Sequence, residues 1–119
     1  MNARTIRDFS VPADIWPMVD AWASSENFRL IDDNGTKRSY QKGFGLMILP
    51  TKLEISQADG NVHLEAWIYA STLNRVFSLF MMPEEMTLES GGVRGIIPRS
   101  ISRDQVNRLM IQLGQPMIT

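Results

Sequence analysis

The sequence predicts an α+β fold: a curved antiparallel sheet of about five or six strands, packed by a short helix and by a long C-terminal helix. Three observations lead there. Short alternating segments are separated by Asn34-Gly35 and Asp59-Gly60, pairs that favour the positive φ of hairpin turns. Ile15, Met18, Val19 and Trp22 recur at helical spacing, and so do Val106, Leu109, Met110 and Leu113. Consecutive hairpins make an antiparallel sheet, and both helices must bury their stripes against it. The order reads β-α-β-β-β-β, an ambiguous insert, a short strand and a final helix, in one domain spanning residues 1–119.

Each element has a local reason. Arg4 to Val11 alternates, with Ile6, Asp8 and Ser10 opposite Arg7, Phe9 and Val11, and reads as a first strand. Asp14 is placed to cap the first helix, and Pro17 falls in its first turn, where a missing N–H breaks no bond. The helix is expected to end near Ser24 to Asn27, with Trp16 off the apolar stripe. Phe28 to Asp32 and Lys37 to Lys42 form a hairpin around Asp33-Asn34-Gly35. Gly43-Phe44-Gly45 suggests a bulge or bend, and Pro50 closes the apolar run Leu46 to Leu49. Thr51 to Gln57 puts Leu53 and Ile55 on one face and Lys52, Glu54 and Ser56 on the other. Val62 to Ala70 returns antiparallel after Asp59-Gly60.

Residues 73–82 fit two readings. Leu73, Val76, Phe77, Phe80 and Met81 have helical spacing, while the β-branched and aromatic content equally suits a strand; Pro83 ends either. Met86 to Ser90 reads as a last short strand. The final helix carries the fullest set of signals. Ser102 and Gln105 match a capping box, Ile101 and Val106 a hydrophobic staple, and Gly114 with Pro116 a stop.

Composition narrows the function classes. Apolar residues make up 44% and charged residues 21% of the chain, as in ordinary globular proteins. With no cysteine, disulfides, thiolate nucleophiles and cysteine-held zinc or iron–sulfur centres are excluded. The start of the chain lacks an apolar signal core, and no apolar run reaches membrane-spanning length, so a cytoplasmic protein without a membrane span is expected. A net charge of −1 gives no general pull toward nucleic acid, which is not expected as a partner. Basic residues do gather late: Arg94, Arg99, Arg103 and Arg108 face only Asp104 in that stretch.

The strand from Val62 is the most informative about function. Val62, Leu64, Ala66, Ile68 and Ala70 share one face, and His63, Glu65, Trp67 and Tyr69 the other. The second set mixes aromatic area with hydrogen-bonding groups, as ligand pockets do, and its four residues are the candidate ligand-binding set. His63 and Glu65 also share the face that metal ligation or acid–base chemistry needs. Two ligands do not make a zinc site, however, and no second histidine exists, so no metal, cofactor or catalytic residue is assigned. Glu54, Glu65 and Glu89 form a possible carboxylate group on neighbouring strands; Glu84 and Glu85 read as solvated charges. Gly91-Gly92-Val93-Arg94-Gly95 lacks the lysine of a phosphate-binding loop and reads as a loop needing positive φ, or as an anion nest with Arg99. Phe77, Phe80 and Met81, in an apolar Met-rich stretch, suit either the core or a subunit interface.

Three stretches carry a resemblance: Tyr40-Gln41-Lys42-Gly43; Glu65-Ala66-Trp67-Ile68 followed by Leu88-Glu89-Ser90-Gly91-Gly92; and Val106-Asn107-Arg108-Leu109 running to Leu113-Gly114-Gln115-Pro116. Their order over residues 4–118 resembles a family of uncharacterised bacterial soluble domains of no established activity. The element order is also similar to TATA-binding-protein-like and helix-grip folds, which host ligand pockets, protein interfaces and DNA binding alike. The expectation is a bacterial, non-enzymatic binding or protein-interaction module acting as a homodimer. The alternative is a helix-grip-like pocket for a small hydrophobic ligand, with or without catalysis.

Overall fold

The computed structural model describes residues 4–43, 50–69, 85–88 and 99–119. Its elements are β1 (Thr5–Ser10), α1 (Trp16–Glu26), β2 (Arg29–Asp33), β3 (Lys37–Lys42), β4 (Thr51–Ala58), β5 (Asn61–Tyr69), β6 (Glu85–Met86) and α2 (Arg99–Gln112). The strands form one antiparallel sheet in the order β1-β5-β4-β3-β2, and β6 pairs with β5 beyond the end of β1. This is the expected α+β architecture.

β5 organises the sheet. It pairs with β4 along its whole length, Thr51 opposite Ile68 through to Ala58 opposite Asn61. On its other side it meets β1, from Thr5 opposite Ala66 to Ser10 opposite Asn61. The turn joining β4 to β5 has positive φ at both central residues, Asp59 (53°) and Gly60 (77°), the geometry that matches strand twist in a two-residue hairpin. β2 and β3 close around Asn34, whose side chain accepts the Lys37 N–H while its own N–H bonds the Lys37 carbonyl.

One parity of the strands faces the helices. Leu53, Ile55, Val62, Leu64, Ala66 and Ile68 are buried there together with Tyr40. Ile15, Val19 and Trp22 of the α1 region and Val106, Leu109, Met110 and Leu113 of the α2 region meet them in one core. Each fully buried Val, Leu, Ile or Met side chain among them contributes about 1.5–3 kcal/mol. The Trp22 indole N–H also donates to the Gln105 carbonyl (2.8 Å), tying α1 to α2. Trp16, off the stripe, packs at the core margin under the Arg38 guanidinium (4.6 Å).

Both helix ends follow one rule. Asn27 closes α1 in the left-handed region, with the Phe28 N–H on the Ala23 carbonyl. Gly114 ends α2 in the same way, with the Gln115 N–H on the Met110 carbonyl. Each is the double-bonded stop that satisfies otherwise orphaned carbonyls.

Several expectations are corrected. The α1 N-cap is Ile15, and Asp14 reaches one residue further to accept the Trp16 N–H (3.1 Å). Met18 is exposed rather than buried with its stripe. The last short strand is Glu85–Met86, earlier and shorter than Met86 to Ser90. Ser102 caps nothing: α2 begins at Arg99, so Ser102 lies inside the helix and Ile101 is exposed, which leaves no staple. The Ser102 hydroxyl instead shares a buried hydrogen bond with the Thr51 hydroxyl (2.7 Å), joining α2 to β4. Expectations for residues 44–49, 70–84 and 89–98 lie outside the described residues.

Ser102→Ala is therefore expected to destabilise by about 1–3 kcal/mol, because it strands the buried Thr51 hydroxyl. Leu109→Ala is expected to cost about 2–5 kcal/mol through the cavity it opens. Urea unfolding measures both, and the Thr51→Val/Ser102→Ala double variant should lose less than the sum of the two single ones.

Candidate functional site

The helices cover one face of the sheet. The opposite face carries His63, Glu65, Trp67 and Tyr69 on β5, flanked by Arg4, Ile6 and Asp8 on one side and by Lys52, Glu54 and Ser56 on the other. The four candidate residues do share a face, as the two-residue period of a strand requires.

His63 sits between two carboxylates. Its Nδ1 is 2.5 Å from Oδ1 of Asp8, the residue directly opposite on β1. Its Nε2 is 2.7 Å from Oε2 of Glu65, next on the same face of β5. Both ring nitrogens serve as donors when the ring is protonated, and the Asp8 contact first, then the Glu65 contact, holds the His63 pKa above its ordinary value. The hydrogen bond from His63, and secondarily that from Arg4, holds the Glu65 carboxyl below its own. With a carboxylate oxygen against each ring nitrogen, neither nitrogen is turned toward a metal or a substrate. Among the described residues no group of three or more His, Asp or Glu side chains is placed to hold a metal ion.

The network continues across the sheet. Glu65 lies directly opposite Glu54 on β4, a like-charge pairing that is unfavourable alone. Arg4 relieves it, at 3.0 Å from Glu65 and 3.7 Å from Glu54, and Lys37 of β3 adds a contact to Glu54 at 3.2 Å. The result is a ladder of alternating sign: Asp8, His63, Glu65, Arg4, Glu54, Lys37. Of the expected carboxylate group, Glu54 and Glu65 meet in this ladder and Glu89 lies outside the described residues.

Trp67 behaves differently from its neighbours. It is only 4% exposed although it points away from the helices. The Arg4 guanidinium lies over its ring at 3.6 Å, a cation–π contact. Its indole Nε1 is shut off from solvent and has no hydrogen-bond partner among the described residues. Tyr69 is half-buried, with the Lys52 ammonium 4.5 Å from its ring centre.

Hollows flank these residues. His63 and Asp8 line an open groove with Ser10 and Asn61. Trp67 lines another with Ile31, Asp32, Ser39, Lys52 and Glu54. Ile31 reaches it because β2 is bulged: Leu30 pairs with Tyr40 and Asp32 with Ser39, which leaves Ile31 as the extra residue. Of the expected interface residues, Phe77, Phe80 and Met81 lie outside the described residues, as do Gly91 to Gly95.

Sequence reasoning found the β5 face but not its partners. Arg4, Asp8 and Lys37 join the site through strand pairing, which no local pattern encodes. The alternation of β1, which groups Asp8 with Ile6 and Ser10, was the available signal. No family model matches this chain, and no curated protein and no solved structure matches it at a significant level.

The ladder makes stability depend on pH in a definite sense. His63, ordinarily at 6.5, contributes stability that is fully present below that value and is lost as pH rises through its raised folded value. Glu65, ordinarily at 4.5, contributes stability that is fully present above that value and is lost as pH falls through its lowered folded value. The loss of thermal midpoint caused by His63→Gln should therefore be greatest between pH 4.5 and 6.5 and should shrink as pH rises above that window. Differential scanning fluorimetry across pH measures it; a loss that grows toward alkaline pH contradicts the assignment.

Proposed function

We propose that this chain is a non-enzymatic binding or protein-interaction module, acting as a homo-oligomer in a bacterial cytoplasm, with the sheet face opposite α1 and α2 as the recognition surface. The observation that carries the reading is the state of His63. The one imidazole of the chain has both nitrogens engaged by carboxylates, which supports a face of patterned charge and aromatic area over one built around a free base. Arg4, Lys37 and Lys52 interleaved with Glu54, Glu65, Trp67 and Tyr69 present a patterned surface, and charge patterning of this kind selects partners more than it adds affinity. No helix among the described residues is long and apolar enough to cross a membrane. A second reading, a pocket for a small ligand, draws support from the hollow beside Trp67. The space between the helices and the sheet is filled by Trp22, Tyr40, Leu53 and Leu109.

Self-association is assigned to the segment around Phe77, Phe80 and Met81, whose aromatic and methionine side chains suit an adaptable apolar contact. Sedimentation equilibrium tests it. The wild-type chain is expected to be a dimer, and a Phe80→Ser/Met81→Glu variant a folded monomer. A wild-type chain that stays monomeric at high concentration overturns the homo-oligomer.

A further inference from the structure

We infer that the outer edge of β2 joins two copies of this chain, strand against strand, with Arg29 of each copy paired to Asp32 of the other. This rests on the homo-oligomer proposed above and adds a sheet edge to its contact.

β2 ends the sheet and, among the described residues, pairs with β3 alone. A sheet edge offers its main-chain N–H and C=O groups as a template for one more strand. All five residues of β2 are exposed, and two of them are large and apolar, Leu30 and Ile31, each 46% exposed. The order Arg29-Leu30-Ile31-Asp32 exchanges its charges when read backward. An antiparallel second copy therefore sets Arg29 opposite Asp32 of the partner subunit at both ends of the contact. Leu30 meets Ile31 of the partner subunit, twice, in between. Opposite charges directly across a strand pair attract, and the apolar area between them leaves water.

The bulge decides the register. Arg29 pairs with Gln41 and Asp32 with Ser39, so both belong to the sheet face that carries Gln41 and Ser39. In an unbroken strand, residues three apart point to opposite faces. A two-fold axis normal to the sheet keeps like faces together, so Arg29 and Asp32 meet on a common face. Asp33, on the opposite face, is held by Arg38 at 3.3 Å, whereas Asp32 makes no ion pair among the described residues. A short, charged, bulged edge discourages indiscriminate pairing. Here the same features favour one register with one partner, a second copy.

Sedimentation equilibrium of the full chain tests this by charge reversal. Arg29→Asp and Asp32→Arg, both at exposed sites, should each keep the wild-type circular dichroism. Each alone should dimerise at least about tenfold more weakly, a difference of about 1.4 kcal/mol. An equimolar mixture of the two should recover the wild-type affinity, because both ends of the contact again join opposite charges. Leu30→Lys, which sets a charge between them, should also dissociate the dimer. A dimer that ignores these substitutions, or a mixture no tighter than its components, overturns this contact and leaves the homo-oligomer standing. A Phe80→Ser/Met81→Glu variant that stays dimeric while the β2 variants dissociate supports the contact and overturns only the assignment to Phe80 and Met81. A wild-type chain that is monomeric at high concentration overturns both.

Discussion

The structure depends on the register of β5. A strand exposes alternate residues to opposite faces, so a slip of one residue would exchange the two sets completely. In the observed register Val62, Leu64, Ala66 and Ile68 seal against α1 and α2, and every one of them is at most 2% exposed. The same register sets His63 opposite Asp8 on β1 and Glu65 opposite Glu54 on β4. Core and site are therefore two consequences of one pairing. The positive φ at Asp59 and Gly60 pins that pairing at the turn, and beside the turn the Gln57 side chain ties β4 to the loop after β1 by donating to the Val11 and Ala13 carbonyls.

The two faces are stabilised differently. On the helix side, area removed from water dominates, and a few polar groups fix geometry: Thr51 with Ser102, and Asn107 with both backbone groups of Ile118. On the open side the forces are electrostatic and partly solvated, so each contact contributes little alone. What the ladder supplies is order. Arg4 touches Glu65, Glu54 and the Trp67 ring together, which fixes one arrangement of side chains across β1, β5 and β4. A surface with a fixed charge pattern loses less freedom on binding than a surface of loose side chains.

Much of the fold was legible in the sequence because its signals are local. Asp59-Gly60 marks its turn, Lys37 to Lys42 is bounded by turn residues, and the stripe from Val106 to Leu113 names its own buried face. Ser102 shows where local signals mislead. Its spacing to Gln105 matches a capping box, yet the helix begins earlier, and a tertiary partner, Thr51, takes the hydroxyl. Met18 has the right spacing for the core but is 38% exposed. At the site, the face of β5 was readable from its own alternation. Its completion by Asp8, Arg4 and Lys37 was not, since those residues are brought in by pairing between distant segments.

β5 is sealed on one face and, except at Trp67, partly accessible on the other. The chain has no native cysteine, so single cysteines introduced along β5 report on each position in turn. Pulse labelling with a thiol reagent under native conditions should modify His63→Cys, Glu65→Cys and Tyr69→Cys quickly. Val62→Cys, Leu64→Cys, Ala66→Cys and Ile68→Cys should be protected, and Trp67→Cys should be protected with them. Uniform labelling along the strand, or protection on the odd positions with labelling on the even ones, would contradict the account.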